Sequence, residues 1–161
     1  MRIQSLKGRE VAELLAIEDE TQRPERWALR REYRSSYRDA PAASERLLEG
    51  AWWRAGEWKG RADGSVVPIA VDAGLARELK VALGDEIVWD VQGVPVPSRV
   101  AVLRDVEWAR FEPNFFVVFP EGPLDAAPQS YVLLSRVEEP ERRARLQRSV
   151  VEAHPNVSTL D

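Results

Sequence analysis

The chain has 161 residues, 44% of them hydrophobic and 31% charged, with a net charge of −4. This suffices for one ordinary domain or two small lobes sharing a core, and it excludes a disordered chain. The absence of cysteine and the single histidine, His154, exclude disulfides, thiolate metal sites and any two-histidine constellation, and the acidic balance argues against nucleic acid as a partner.

No apolar run approaches the roughly 20 residues needed to span a bilayer, and no apolar segment follows Met1 as in a signal peptide. The chain is expected to be cytoplasmic, or to be a fragment whose targeting and anchoring segments lie elsewhere. Along the sequence, "RIQSLKG" (2–8) alternates and ends on Gly8, which predicts a short strand. Val11, Leu14 and Leu15 predict a short helix within 9–20, and Pro24 ends it in a loop. In 26–38 a helix would set Arg30, Arg31 and Arg34 on the face of Trp27. A strand would instead place Trp27, Leu29, Tyr33 and Tyr37 on one face and mostly charge on the other, so a long half-exposed strand is expected. Residues 39–58 open on a turn and read as a short helix or irregular segment ending near Gly50, with an aromatic cluster at Trp52, Trp53 and Trp58.

A turn over 59–65 leads to a strand over 66–71, where Pro68 hints at an edge or bulge. Asp72 as N-cap, Leu75, Leu79 and Leu83 at helical spacing and Gly84 as stop predict a helix over 72–85. Ile87, Trp89 and Val91, then Gln92-Gly93, then Val94, Val96, Val100 and Val102 spell a hairpin whose second arm begins on an edge at Pro95 and Pro97. The unbroken run Phe115–Phe119 reads as a central strand buried on both faces, with Pro113-Asn114 setting its start. After a loop at 121–129, a strand over 130–137, a helix over 139–155 with Leu146, Val150 and Ala153 on one face, and a strand over 156–161 form a minimal α/β unit. The fold class expected is α+β, with a β-rich lobe over about 27–120 and a small α/β lobe from about 1–20 and 130–161.

The basic run Arg23, Arg26, Arg30, Arg31, Arg34 and Arg38 could hold phosphates, but Glu25, Glu32 and Asp39 interleave with it, so a solvated, salt-bridged face is favoured. The same holds for Arg142, Arg143, Arg145 and Arg148 among Glu138, Glu139 and Glu141. Trp27, Trp89 and Trp108 sit among aliphatic neighbours and are expected in the core. Trp52, Trp53 and Trp58, near turns, are the candidates for exposure. His154 reads as a helix C-terminal cap. There is no Gly-rich phosphate loop, no G-x-S-x-G elbow and no carboxylate pair that stands out from surface charge, so neither an enzymatic site nor a cofactor is expected.

Taken in order, "LRREYRSSYRDAPAASERLLEGAWW", "AVDAGLARELKVALGDEIVWDVQGVPVPSRVAVLRDVEWARFEPNFFVVFPEG" and "HPNVSTLD" resemble the large extracytoplasmic domain of FtsX/MacB-like ABC transporter permeases, in particular the YbbP-like group. The resemblance covers residues 27–161. It rests on Arg31–Arg34 with Tyr37 and Arg38, on Gly50, Trp52 and Trp53, on Leu83–Asp85, on Gly93, on Arg104, Val106 and Trp108, and on Asn114–Val117. It implies a domain on the periplasmic or extracytoplasmic side of the cell inner membrane, lying between two transmembrane helices outside this chain and carrying a porter-like α/β lobe. It also implies no chemistry of the domain's own: a cytoplasmic ABC ATPase subunit would hydrolyse ATP, and the domain would couple membrane-helix motion to export of a hydrophobic or lipid-like substrate, with a periplasmic partner possible. Members of that group carry a further strand–helix unit ahead of a strand like "RIQSLKG", so part of the α/β lobe is expected outside this chain. The candidate interaction surface is Trp52, Trp53, Trp58 and Leu124, in the loops at 52–58 and 122–129. The alternative is a β-rich module that binds a small molecule or glycan through its tryptophan cluster.

Overall fold

In the computed structural model of the chain, residues 1–60, 64–109 and 113–159 are described. Asp63 of the expected turn, Phe111 and the end of the expected final strand lie outside them. The predicted hairpin forms as β6 (Glu86–Val91) and β7 (Val94–Val106). Gln92 and Gly93 both take positive φ, which suits the tight turn of a right-twisted hairpin, and Asp90 Oδ1 accepts from the Gly93 N–H at 2.6 Å. β1 (Arg2–Leu6) runs antiparallel to β6, and β2 (Arg9–Glu10) folds back on β1. On the other side of β7 lie β5 (Val67–Asp72, parallel to it), β8 (Val117–Phe119) and β3 (Ser36–Tyr37). β4 (Glu45–Gly50) pairs with the second half of β7, so the described sheet holds eight strands.

The fold is α+β, as expected. The helices α1 (Val11–Leu15), α2 (Arg26–Arg30) and α3 (Ala73–Leu79) supply Leu14, Ala28, Leu29, Leu75, Ala76 and Leu79 to a core with Ile69, Val71, Ile87, Trp89, Val100, Val117 and Phe119. Trp89 is fully buried. Its indole donates to Ser98 Oγ (2.9 Å), which donates to Ile87 O (2.7 Å), and Tyr33 meets its ring edge-on at 5.4 Å between centroids. Such ring pairs add about 0.5–1.5 kcal/mol beyond area burial. The opposite face of the sheet carries a smaller core of Ala70, Val102, Val118 and Trp53. Val117 and Phe119 thus face one core and Val118 the other, but the strand is shorter than the expected Phe115–Phe119, with Phe115 and Phe116 half-buried ahead of it.

Several elements differ from expectation. Residues 26–38 do not form a long strand. Ala28 and Leu29 are both buried although adjacent, which alternation forbids and a helical turn allows; only Ser36–Tyr37 pair as a strand. Residues 45–50 form β4 rather than a helix, because β7 offers them a ladder. α1 is a single turn, and α3 ends at Leu79, where Lys80 takes the left-handed conformation (φ 56°), before Gly84 is reached. Asp72 caps α3 as expected, accepting from the Leu75 N–H at 2.9 Å. β5 is an inner strand. Pro68 is tolerated because β8 covers only Ala70 and Val71, leaving Pro68 free of a second neighbour, and Pro95 and Pro97 likewise precede the start of β5 pairing at Ser98. Asn114 accepts from the Ser44 hydroxyl at 3.0 Å, bonding a distant side chain instead of local backbone.

Met1–Ser130 forms one compact unit and Tyr131–Asp161 a second. In the second, α4 (Pro140–Ala153) forms as predicted, with His154 as its C-cap. The flanking strands over 130–137 and 156–159 do not, since a strand exists only with a hydrogen-bonded neighbour and these residues have no ladder. α4 buries no residue, so Leu146, Val150 and Ala153 do not pack into a core.

Within the sheet, Arg104 is wholly buried. It bonds Glu45 Oε1 at 2.5 Å and donates to Phe115 O; Glu45, whose side chain is 0% exposed, also takes the Arg38 guanidinium and, at 3.0 Å, the Ala42 N–H. Burial pulls the Arg104 pKa below its ordinary value and Glu45 only partly opposes this; a guanidinium keeps its charge in proteins, so the pair is ionic. Glu45→Ala strands this charge and is expected to cost about 3–5 kcal/mol in denaturant unfolding. Asp105→Ala, which removes the exposed Arg46–Asp105 pair (3.1 Å) between the same strands, is expected to cost at most about 1 kcal/mol.

Candidate functional site

The loop that carries the tryptophans is aimed by one backbone irregularity. Ile69 pairs with Val100 but Ala70 pairs with Val102, so Ala101 is an extra residue on β7. Val100 consequently faces the helix-covered core, while Ala101 and Val102 face the other side. The Ala101 carbonyl accepts from the Ala51 N–H at 3.3 Å, and a Cβ on Gly50 (φ 87°) would lie 2.0 Å from that oxygen. Only glycine lets β4 end this close to the bulge, and from there the chain crosses the smaller core.

Trp53 closes that core, buried over Ala70, Val102 and Val118, with Trp52 tilted against it at 4.7 Å. The Trp53 indole donates to Asp39 Oδ1 at 3.0 Å. Asp39 also accepts from the N–H groups of Gly56 (2.6 Å) and Glu121 (3.1 Å), tying the tryptophan loop to the loop at 121–129. Gly122 (φ 116°) lies against the backbone of Trp58, where a Cβ would come within 2.2 Å of the Trp58 carbonyl oxygen. The two loops named from sequence are thus brought together. Their candidate residues are largely covered, however: Trp53 and Leu124 are buried and Trp52 and Trp58 half-buried, with Leu124 in the helix-covered core and Trp58 packed against both cores. Trp52 Nε1 is buried with no acceptor among the described residues.

Beside this loop lies an open cleft of about 320 Å³, with Trp53, Trp58, Val66, Pro68 and Ala101 as its apolar lining and Glu57 and Arg99 as its charges. Arg99 is paired to Glu86 at 2.6 Å. Among the described lining residues Glu57 is the one carboxylate and there is no Ser, Thr, Cys or His, and among the described residues no three His, Cys, Asp or Glu side chains gather as a metal site. It can receive a flat apolar group.

The exposed tryptophans are the two assigned to the core from sequence: Trp27 is 45% and Trp108 47% exposed. Trp27 lies outward on α2 because Ala28 and Leu29 take the inward side. The Arg31 guanidinium stacks 5.6 Å from the Trp27 centroid, 5.5 Å from Tyr33 and 4.8 Å from Phe116, and Phe116 meets Trp108 at 4.7 Å. The basic run is not the salt-bridged face expected. Arg23 bonds Ile17 O and Glu20, and Arg38 bonds Glu45, whereas Arg26, Arg30, Arg31 and Arg34 have no ion pair among the described residues. Helical spacing of Trp27 with Arg30 and Arg31 is the signal in the sequence that marks this surface.

Over 128 residues, 79% of its length, the chain is 34% identical to part of an ABC transporter permease, and it is therefore related to a segment of that class of protein. The relative is the uncharacterized ABC transporter permease YbbP of Escherichia coli strain K12, and the chain spans 15% of its length. No protein-family profile and no solved structure matches the chain. Among the described residues no helix is long and apolar enough to cross a membrane.

Burial works to raise the Asp39 carboxyl, but the N–H groups of Gly56, Glu121 and Trp53 and the nearby Lys59 outweigh it, so Asp39 titrates below the usual carboxylate range. A depressed folded pKa stabilises fully above the unfolded aspartate value of about 3.9 and is lost as pH falls through the folded value. Asp39→Ala is therefore expected to lower the Tm at pH 7, and the gap to wild type should close in acid. A gap that stays constant with pH would show that the tie is not ionic.

Proposed function

We propose that the 161 residues are a single extracytoplasmic domain of an FtsX/MacB-like ABC exporter permease of the YbbP-like group, on the periplasmic side of the inner membrane. The carrying observation is 34% identity to a small fraction of a much longer permease, in a stretch with no membrane-spanning helix among its described residues. The domain has no reaction of its own. It passes motions driven by a cytoplasmic ABC ATPase subunit from the membrane helices to a hydrophobic or lipid-like cargo, and Trp52, Trp53, Trp58 and Leu124 hold together the loops that would respond. Residues 130–161 belong to an α/β lobe that further chain completes, whereas β1 of the expected 1–20 part pairs with β6 in the sheet of the first unit. The support for this is Tyr131–Leu134, exposed without a ladder, and α4, without a buried residue.

The chain lacks cysteine, so engineered thiols report cleanly in this segment. In the full-length parent, Val94→Cys, on the exposed hairpin turn, should react in intact cells with a thiol reagent that cannot cross the cytoplasmic membrane. Leu133→Cys, 91% exposed in this chain, should be protected there. Labelling of Val94→Cys only after the cytoplasmic membrane is opened would sink the assignment of side, and free labelling of Leu133→Cys would sink the completed lobe.

The apolar cleft favours a second reading, a module that binds a small aromatic compound or glycan against Trp58. It predicts a ligand-induced change in tryptophan emission that Trp58→Ala abolishes while the fold persists. An emission change that survives in Trp58→Ala would exclude the cleft.

A further inference from the structure

We propose that the Trp27–Arg31–Phe116–Trp108 surface docks this domain onto an anionic phospholipid bilayer. The surface is continuous: each group stacks on the next at 4.7–5.6 Å, from Trp27 through Arg31 and Phe116 to Trp108. Its outer members are two half-exposed indoles, and amphipathic indole rings settle at the headgroup level of a membrane. Its middle member is a guanidinium held by its faces on aromatic rings. Its N–H edges have no acceptor among the described residues and fit phosphate oxygens.

Charge selects the occupant. Arg30 is exposed with Trp27 on α2, Arg31 follows as the helix's extended C-cap, and Arg26 and Arg34 flank the stretch; none of the four arginines is paired among the described residues. The carboxylates nearest in sequence are Glu25, Glu32, Glu107 and Glu112. The whole chain carries −4, so attraction to an anionic layer has to come from local basic groups such as these. The patch is a surface rather than a pocket, which suits a plane of headgroups. An acidic protein segment is the rival occupant, but it does not explain why both flanking side chains are half-exposed tryptophans. The proposal rests on the permease reading only for the presence of a bilayer nearby, and its test needs no permease.

The 161-residue chain is floated with vesicles of phosphatidylcholine alone or mixed with phosphatidylglycerol, and tryptophan quenching by brominated acyl chains is read in parallel. Binding is expected only with phosphatidylglycerol and should fade as salt rises. Arg30→Ala and Arg31→Ala should each weaken it about fivefold. Trp27→Phe with Trp108→Phe should remove most of the quenching, since Trp53 and Trp89 are buried and Trp52 and Trp58 half-buried. All four positions are exposed, and a thermal melt matching wild type certifies each variant's fold. Equal binding to phosphatidylcholine, wild-type binding by the Arg30→Ala/Arg31→Ala double variant, or displacement by inorganic phosphate at physiological salt would each overturn the proposal. So would preferential binding of a poly-glutamate peptide. Any of these failures leaves the Val94→Cys result untouched, so the two readings fall separately.

Discussion

Strand β7 is the constraint on which the rest depends. Over its thirteen residues it pairs with β6 in its first half, with β4 in its second and with β5 along the middle. It serves two cores because Ala101 interrupts its alternation. Without the extra residue, the positions after Val100 would point to the wrong faces of the sheet. The same residue supplies the carbonyl that receives Ala51 and makes glycine necessary at position 50. One inserted residue therefore sets both the inner packing and the path of the tryptophan loop.

Arg104 shows what the smaller core costs. Its guanidinium lies inside the sheet, between Glu45 of β4 and the backbone at Phe115 just before β8, with Arg38 sharing the same carboxylate. A buried pair of this kind adds little net stability over apolar packing, but it penalises any register that leaves the charge alone. It joins the start of β4, the end of β7 and the start of β8, which are far apart in sequence.

Much of this was legible in the residues. The hairpin followed from Ile87, Trp89 and Val91 around Gln92-Gly93, the α3 cap from Asp72, and the doubly buried strand from the Phe115–Phe119 run. The failures share a cause. Around Trp27 the period-two and period-3.6 patterns compete, and Arg30, Arg31 and Arg34 deprive the helical one of an apolar stripe. Arg30 and Arg31 are the feature, since they lie exposed beside Trp27. Trp53 lies near a turn yet is drawn under the loop by Asp39, a bond no local pattern announces.

Local chemistry in the sequence determined the elements whose stabilising partners are near in the chain: the tight hairpin, the Asp72 cap, helix α4 with Pro140 at its start, and the α+β class that their mixture implies. Tertiary structure alone decided what depends on distant partners. It made 45–50 a strand because β7 was free to pair, and it left 131–137 without one because no ladder formed there. It also turned Trp27 and Trp108 outward while burying Trp53. A side chain's hydrophobicity measures what burial would gain, whereas which side chains are covered depends on the neighbours that the folded chain supplies.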